Sequence, residues 1–223
     1  MNRLADLTWP ELDASRRLLV VPVGSTEQHG PHLPFGTDTE IAIALSDRLA
    51  ARRVDAVVAP ALPYGSSGEH AGFPGTLSIG QATLEAVIVE LVRSAALTFD
   101  AIVFVCGHGG NAEALTRAVA RMRDEGHDLL VFFPRWEGDA HAGRTETSLM
   151  LAVAHESVRG ERAEPGDTRD LAALLPSLRS GGVRAVSPNG VLGDPRGATA
   201  SAGHALLDAA LADLVEQVDR WRS

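Results

Sequence analysis

The sequence predicts an α/β fold: a three-layer α/β/α sandwich with a mainly parallel central sheet. Three observations carry this. Short apolar runs, Leu18–Val23, 56–59, Ala101–Cys106 and 129–133, read as strands. Between them lie segments whose apolar residues recur at helical spacing. Strands joined through helices run parallel, with the sheet between two helix layers. The 223 residues suffice for one sizeable core, and no linker or internal repeat interrupts them, so 1–223 is read as a single domain.

Each element has its own justification. Leu18–Val23 (LLVVPV) is apolar throughout and reads as a buried strand. Thr37-Asp38-Thr39 opens a helix to about Arg53, with Thr37 or Asp38 placed to cap it. A short strand follows at 56–59. The loop 62–76 is long for a compact domain and is read as functional. Helix 81–97 carries Leu84, Val87, Ile88, Leu91 and Val92 at helical spacing. The strand Ala101–Cys106, a helix over 111–125 and the strand 129–133 come next. The polar connection 134–145 carries His141, and 146–155 reads as a buried helix. The stretch 159–196 is rich in Gly, Pro and charge, with a short helix near 171–178, and an amphipathic helix over 198–222 closes the chain.

Composition excludes several classes of function. Apolar content of 45% and charged content of 22% are those of an ordinary globular protein. No apolar run reaches the length of a membrane span, and residues 1–17 carry acids where a signal peptide needs an apolar core. The net charge of −9, without any basic cluster, argues against nucleic acid as a partner. One cysteine, Cys106, excludes an intrachain disulfide and suits a cytoplasmic location.

The chemistry concentrates at two strand ends. After Val23 comes GSTEQHGPHLPFGTD, with Glu27, His29, His32 and Asp38 as candidate metal-binding side chains and Gln28 as a weaker one. In extended backbone Glu27 and His29, two apart, project to the same side and can aim at one centre. Asp38 follows a Gly/Pro-rich turn and can reach two cations with its two oxygens. After Cys106 comes GHGGN, whose His108 arrives at the neighbouring point in an open α/β sheet. A mixed imidazole and carboxylate set suits Zn, Fe(II) or Mn.

Each residue taken alone has a plainer reading. Asp38 can be a helix cap. Glu27 and His29 can be loop residues bonded to local backbone, and GHGGN a glycine turn with Asn111 capping the next helix. Cys106 is read as a small buried hydrophobe. His127, His155 and His204 have no partner motif and are read as surface, cap or structural residues.

Four segments in order, GSTEQHGPHLPFGTD, EHAGFPGT (69–76), GHGGN (107–111) and HAGRTETSLML (141–151), resemble the creatininase family of metal-dependent amidohydrolases. Within it, PALPYGSSGEHAGFPGTLSIG is similar to the branch of mycofactocin-system peptidases. The resemblance implies an α/β/α fold, two divalent metal ions (Zn or Fe(II), with Mn also suitable) and a homo-oligomer, hexamer or octamer. It implies Glu27, His29, bridging Asp38 and His108 as metal ligands. The family's further carboxylate, two residues after the GHxxN histidine, falls on Gly110, which cannot ligate. Glu146, in the ETS motif, is expected to replace it as fifth ligand or to shuttle a proton. His141 matches a family histidine expected to donate a proton or polarise a carbonyl. The partner implied is a small ribosomally made, enzymatically modified precursor peptide. Its amide bond would be cut by a metal-bound hydroxide, releasing a C-terminal Val-Tyr-derived dipeptide. Tyr64, Glu69, His70 and Phe73 on the long loop are expected to meet the peptide, and Gly110 to leave it room.

Three other functions compete. One is a small-molecule amidohydrolase acting on a creatinine-like cyclic amide or a formamide. Another is a non-catalytic metal-binding scaffold that presents a peptide to partner enzymes. The third is a thiol hydrolase built on Cys106 and His108, which alkylation and not chelation would inhibit.

Overall fold

The structure, a computed structural model, describes residues 3–12 and 17–223. Residues 1–2 and 13–16, part of the segment read as lacking a leader, lie outside the described residues. Among the described residues four strands, β1 (Leu18–Val23), β2 (Ala56–Val58), β3 (Ala101–Cys106) and β4 (Asp128–Phe132), form one parallel sheet in the order β2-β1-β3-β4. Six α-helices among the described residues accompany them: α1 (Thr37–Ala50), α2 (Gly80–Ala95), α3 (Ala112–Asp124), α4 (Arg144–Val153), α5 (Leu171–Val186) and α6 (Ala200–Arg222). No helix among the described residues is long and apolar enough to cross a membrane.

Alternation along the strands divides the core in two. Leu18, Val20, Val103 and Val105 pack against Ile41 and Leu45 of α1, Leu149 of α4 and Leu207 of α6. Leu19, Val21, Ile102 and Phe104 pack against Leu84 and Ile88 of α2 and Leu115 and Met122 of α3. Every residue of β1 and β3 is buried, which is why both strands read as continuous apolar runs rather than alternating ones.

Strand order fixes where chemistry can sit. The chain leaves β1 toward β2 on one side, while β3 lies on the other, so the crevice between β1 and β3 is the switch point of the sheet. The register pairs Val23 with Cys106, so the two strands end side by side. Gly24 and Gly107 follow. A Cβ on Gly107 would lie 2.2 Å from the Asp38 carbonyl oxygen, and one on Gly24 2.5 Å from the Thr39 backbone. Only glycine allows the first turn of α1 to press this closely against both strand ends.

Several expectations are corrected. Helix α1 ends at Ala50 rather than near Arg53, and neither Thr37 nor Asp38 caps it. Gly36 holds the N-cap position, and the Thr37 hydroxyl donates to Pro34 O. Helix α4 starts at Arg144 because the backbone N–H groups of Arg144 and Thr145 donate to the Asp139 carboxylate. Helix α5 runs well past 178, through Pro176, and is broken only at Gly182 (φ 69°). Buried Leu174 and Val183, packed with Leu192, hold it there despite poor helix propensity. Asn111 does not cap α3 with its side chain. It donates to Gly24 O at 2.8 Å and accepts from Ser66 N at 2.8 Å, tying both strand ends to the 62–76 loop.

Candidate metal centre

Four segments deliver the centre. The turn after β1 brings Glu27 and His29, the first turn of α1 brings Asp38, the residues after β3 bring His108, and the start of α4 brings Glu146. Glu27, His29, Asp38 and His108 are all buried. Their ligand-capable atoms fall into overlapping groups: Glu27, Asp38 and His108; His29, Asp38 and Glu146; and Glu27, His29 and His141. His108 lies 3.2 Å from both Glu27 Oε2 and Asp38 Oδ2. His29 Nε2 lies 3.1 Å from Asp38 Oδ1 and 3.8 Å from Glu146 Oε2. Asp38 thus turns one oxygen to each imidazole, and the Ser25 hydroxyl fixes it by donating to Oδ2 at 2.6 Å.

The residues fit cations. Both carboxylate oxygens of Glu27 are buried, each with an imidazole nitrogen 3.2 Å away (His70 Nε2 and His108 Nε2) but with no well-directed hydrogen bond to accept. Each unsatisfied buried group of this kind costs about 1–3 kcal/mol, more when charged, so two on one side chain call for a ligand. A divalent cation satisfies them, and the carboxylate and imidazole donors match Zn, Fe(II) or Mn. The electrostatics agree. Burial, then the Asp38 charge, pushes the Glu27 carboxyl up to about 7. Burial opposes charge on His29 and His108. Yet Asp38 beside the first, and Glu27 with Asp38 beside the second, push both up to about 10. Burial likewise works against a charged Asp38, but His29 and His108 hold it well below the usual range. The cluster draws positive charge inward.

A second ring of groups surrounds this cluster. Glu146 Oε2 accepts from Ala142 N at 2.6 Å. Among the described residues, Ala142 is the one non-glycine residue with positive φ, at 51°. This strained turn sits between His141 and Glu146, as such turns do at functional sites. Burial, with the Asp38 charge beside it, raises the Glu146 carboxyl against the opposing pull of His29. His141 Nδ1 faces the centre, 3.9 Å from both Glu27 Oε1 and Glu146 Oε2. Burial, then the His29 and His70 charges, holds this imidazole well below its usual value.

The loop residues divide. His70 enters the centre, with Nε2 3.2 Å from Glu27 Oε1, and burial followed by the His29 and His108 charges pushes it down to about 3. Glu69 Oε1 lies 3.5 Å from His108 Nε2. A Cβ on Gly110 would meet that oxygen at 2.4 Å, so the space expected to be free there is filled by Glu69. Phe73 is taken up by packing against Leu174 and by the Arg184 guanidinium. Tyr64 stays exposed. His32 turns away from the centre to Thr147 Oγ1 at 2.8 Å, and His155 and His204 are exposed. The sequence reading gave little weight to Gln28. Its buried amide nitrogen lies within 3.1 Å of His70 Nδ1, His141 Nε2 and Gly190 O.

Cys106 is buried, and burial pushes its thiol up to about 12. It is expected to resist iodoacetamide in the folded protein at neutral pH. Cys106→Ala should keep most of the turnover and lose about 1 kcal/mol of stability. Loss of turnover in that variant with normal metal content would revive a thiol mechanism.

A parallel sheet with a dense imidazole and carboxylate centre at its switch point defines a class of protein, one whose donors could hold cations where the strands end. Within that class the chain belongs to the creatininase family, whose model, described as creatinine amidohydrolase, matches residues 5–218. The mycofactocin precursor peptide peptidase of Mycolicibacterium smegmatis is 47% identical over 230 residues, covering 98% of this chain and 91% of that one. The creatinine amidohydrolase of Pseudomonas putida is 31% identical over 195 residues, covering 71% and 74%. A crystal structure of creatininase superposes with a TM-score of 0.79 at 25% identity, covering 98% and 97%. Solved creatininases include a Zn–Zn type and a Mn form.

Proposed function

We propose that this chain is a dinuclear metal-dependent peptidase. It cuts an amide bond near the C-terminus of a small modified precursor peptide and releases a Val-Tyr-derived dipeptide. The observation that carries the metal reading is Asp38, shared by two ligand groups, beside a Glu27 carboxylate with no hydrogen-bond partner. The peptide reading is supported by the identity to the M. smegmatis peptidase over nearly the whole chain. In this reading Glu27, Asp38 and His108 hold one cation, and His29, Asp38 and Glu146 the other. The cations, when bound, supply Lewis acidity and acidify water to a pKa of about 7. A homo-oligomer, hexamer or octamer, belongs to this reading through the family resemblance.

The chain's own residues supply the rest. Ser25 and the Ala142 N–H fix the carboxylates of Asp38 and Glu146, so the centre is organised before substrate arrives. His141 can hold a proton at Nδ1, facing Glu27 and Glu146, and hand it to a leaving nitrogen. The 62–76 loop, tied to both strand ends through Asn111, offers exposed Tyr64 to a peptide. Contacts remote from the scissile bond then orient it.

The test is mass spectrometry of a modified, Val-Tyr-terminated precursor peptide incubated with metal-loaded protein, with creatinine in parallel. The expected result is peptide cleavage that chelation abolishes and added Zn, Fe(II) or Mn restores, with little creatinine turnover. Truncating the peptide upstream should lower turnover as well as affinity. Efficient creatinine hydrolysis without peptide cleavage would replace this reading with a small-molecule amidohydrolase.

A further inference from the structure

We infer that His70 is the oxyanion donor of this centre. Gln28 holds it with the proton on Nε2, and that N–H meets the amide carbonyl oxygen as the oxygen takes up negative charge. The inference rests on the amide-hydrolysis reading above and adds a role for a side chain on the loop.

Hydrogen-bond accounting fixes the tautomer. The Gln28 side chain is buried and its orientation is set twice: Gly30 N donates to Oε1 at 2.9 Å, and Nε2 donates to Gly190 O at 3.1 Å. Turning the amide over would set its NH2 against the Gly30 N–H and its oxygen against the Gly190 carbonyl. One amide hydrogen remains, and His70 Nδ1, at 2.9 Å, is positioned to take it. A primary amide nitrogen only donates, so His70 Nδ1 accepts and the neutral ring carries its proton on Nε2.

The same accounting gives His141 the opposite face. Its Nε2 lies 3.1 Å from the Gln28 amide nitrogen but 2.8 Å from the Gln28 backbone oxygen, which only accepts. With both amide hydrogens already placed, His141 Nε2 donates to that oxygen, and Nδ1, turned to the centre, is bare. Two imidazoles with centroids 4.5 Å apart therefore offer the centre one N–H and one lone pair. The N–H is free for a substrate: Glu27 Oε1, 3.2 Å from His70 Nε2, accepts no hydrogen bond.

Amide hydrolysis uses both. A water oxygen bonds to the carbonyl carbon and gives a proton to His141 Nδ1. The C=O π pair moves onto the carbonyl oxygen, where the His70 Nε2–H stabilises the charge. When the C=O re-forms, the C–N bond breaks with its pair on nitrogen. The proton on His141 moves to that nitrogen, leaving an amine and a carboxylic acid. No co-reactant other than water is consumed.

Two measurements test this. The first is nitrogen-15 NMR of the imidazoles in the metal-free protein, which is expected to show His70 as the Nε2–H tautomer. The Nδ1–H tautomer would overturn the proposal. The second is kinetics with metal analysis. His70→Ala should lower kcat by about 10²–10³-fold, the cost of losing one oxyanion donor, with KM and metal content near wild type. His70→Gln, which keeps an N–H near the Nε2 position, should recover at least part of that loss. Gln28→Leu, which frees the tautomer, should lower kcat while leaving the metals bound. Unchanged kcat in His70→Ala, or loss of metal in both His70 variants, would overturn the proposal, the latter making His70 a positioning residue for Glu27. If the wild-type protein cuts no amide, the proposal falls with the reading beneath it, whatever the tautomer.

Discussion

Asp38→Ala is expected to abolish loading of both cations and to lower peptide cleavage by more than about 100-fold, the upper end of what changing a group behind the ligands costs. The magnitude follows from position. Asp38 Oδ1 lies 3.1 Å from His29 and Oδ2 3.2 Å from His108, so one carboxylate serves both sides of the centre. Of the two sets proposed to hold the cations, losing any other ligand leaves one intact; losing Asp38 breaks both and leaves only Glu27, His29 and His141 grouped. In the metal-free protein the same change removes a carboxylate that draws both buried imidazoles toward charge, leaving His108 with Glu27 and His29 with the more distant Glu146. Removing one partner of such a buried ion pair costs about 3–5 kcal/mol. Asp38→Asn keeps the volume and separates the two effects: it should fold better than the alanine variant and bind metal almost as poorly. Inductively coupled plasma mass spectrometry reads the stoichiometry. Two ions per chain and wild-type turnover in Asp38→Ala would remove the basis for a shared ligand.

Much of this centre could be read from the chain because its donors follow apolar strands in sequence. Glu27 and His29 come directly after β1, His108 directly after β3, and the parallel register brings those ends together. The parts that could not be read depend on closure in three dimensions. Gln28 reaches Gly190, far along the chain, and no local pattern announces that contact. Gly110 looked like open space, but Glu69 arrives from another segment to fill it. Helix α1 lacks the expected side-chain cap because the site competes for the same residue: an Asp38 turned back to its own helix could not face His29 and His108. Helix α5 failed the other way. Its proline and glycines signalled a stop, while packing of Leu174 and Val183 extended it.

Glu146→Gln is expected to leave the fold intact and to remove one of two cations, with turnover falling about 100-fold or more, as for a ligand rather than a supporting group. The fold should survive because the amide oxygen of glutamine can still accept from Ala142 N, which now donates to Glu146 Oε2 at 2.6 Å. The strained Ala142 turn would then persist, and His141 with it. The cation should go from the His29 side, because Glu146 shares a ligand group with His29 and Asp38, whereas Glu27, Asp38 and His108 form a group without it. Gly110 makes Glu146 more important, since the carboxylate that the family resemblance places at 110 is missing. The rival role has its own geometry: Glu146 Oε2 is 3.9 Å from His141 Nδ1, close enough for a proton to pass after a small movement. Metal analysis separates the two. One ion per chain, with the remaining ion bound at wild-type affinity, identifies Glu146 as a ligand. Two ions per chain with collapsed turnover would make it a proton carrier. The cation on the His29 side would then be held by His29 and Asp38 without a second carboxylate.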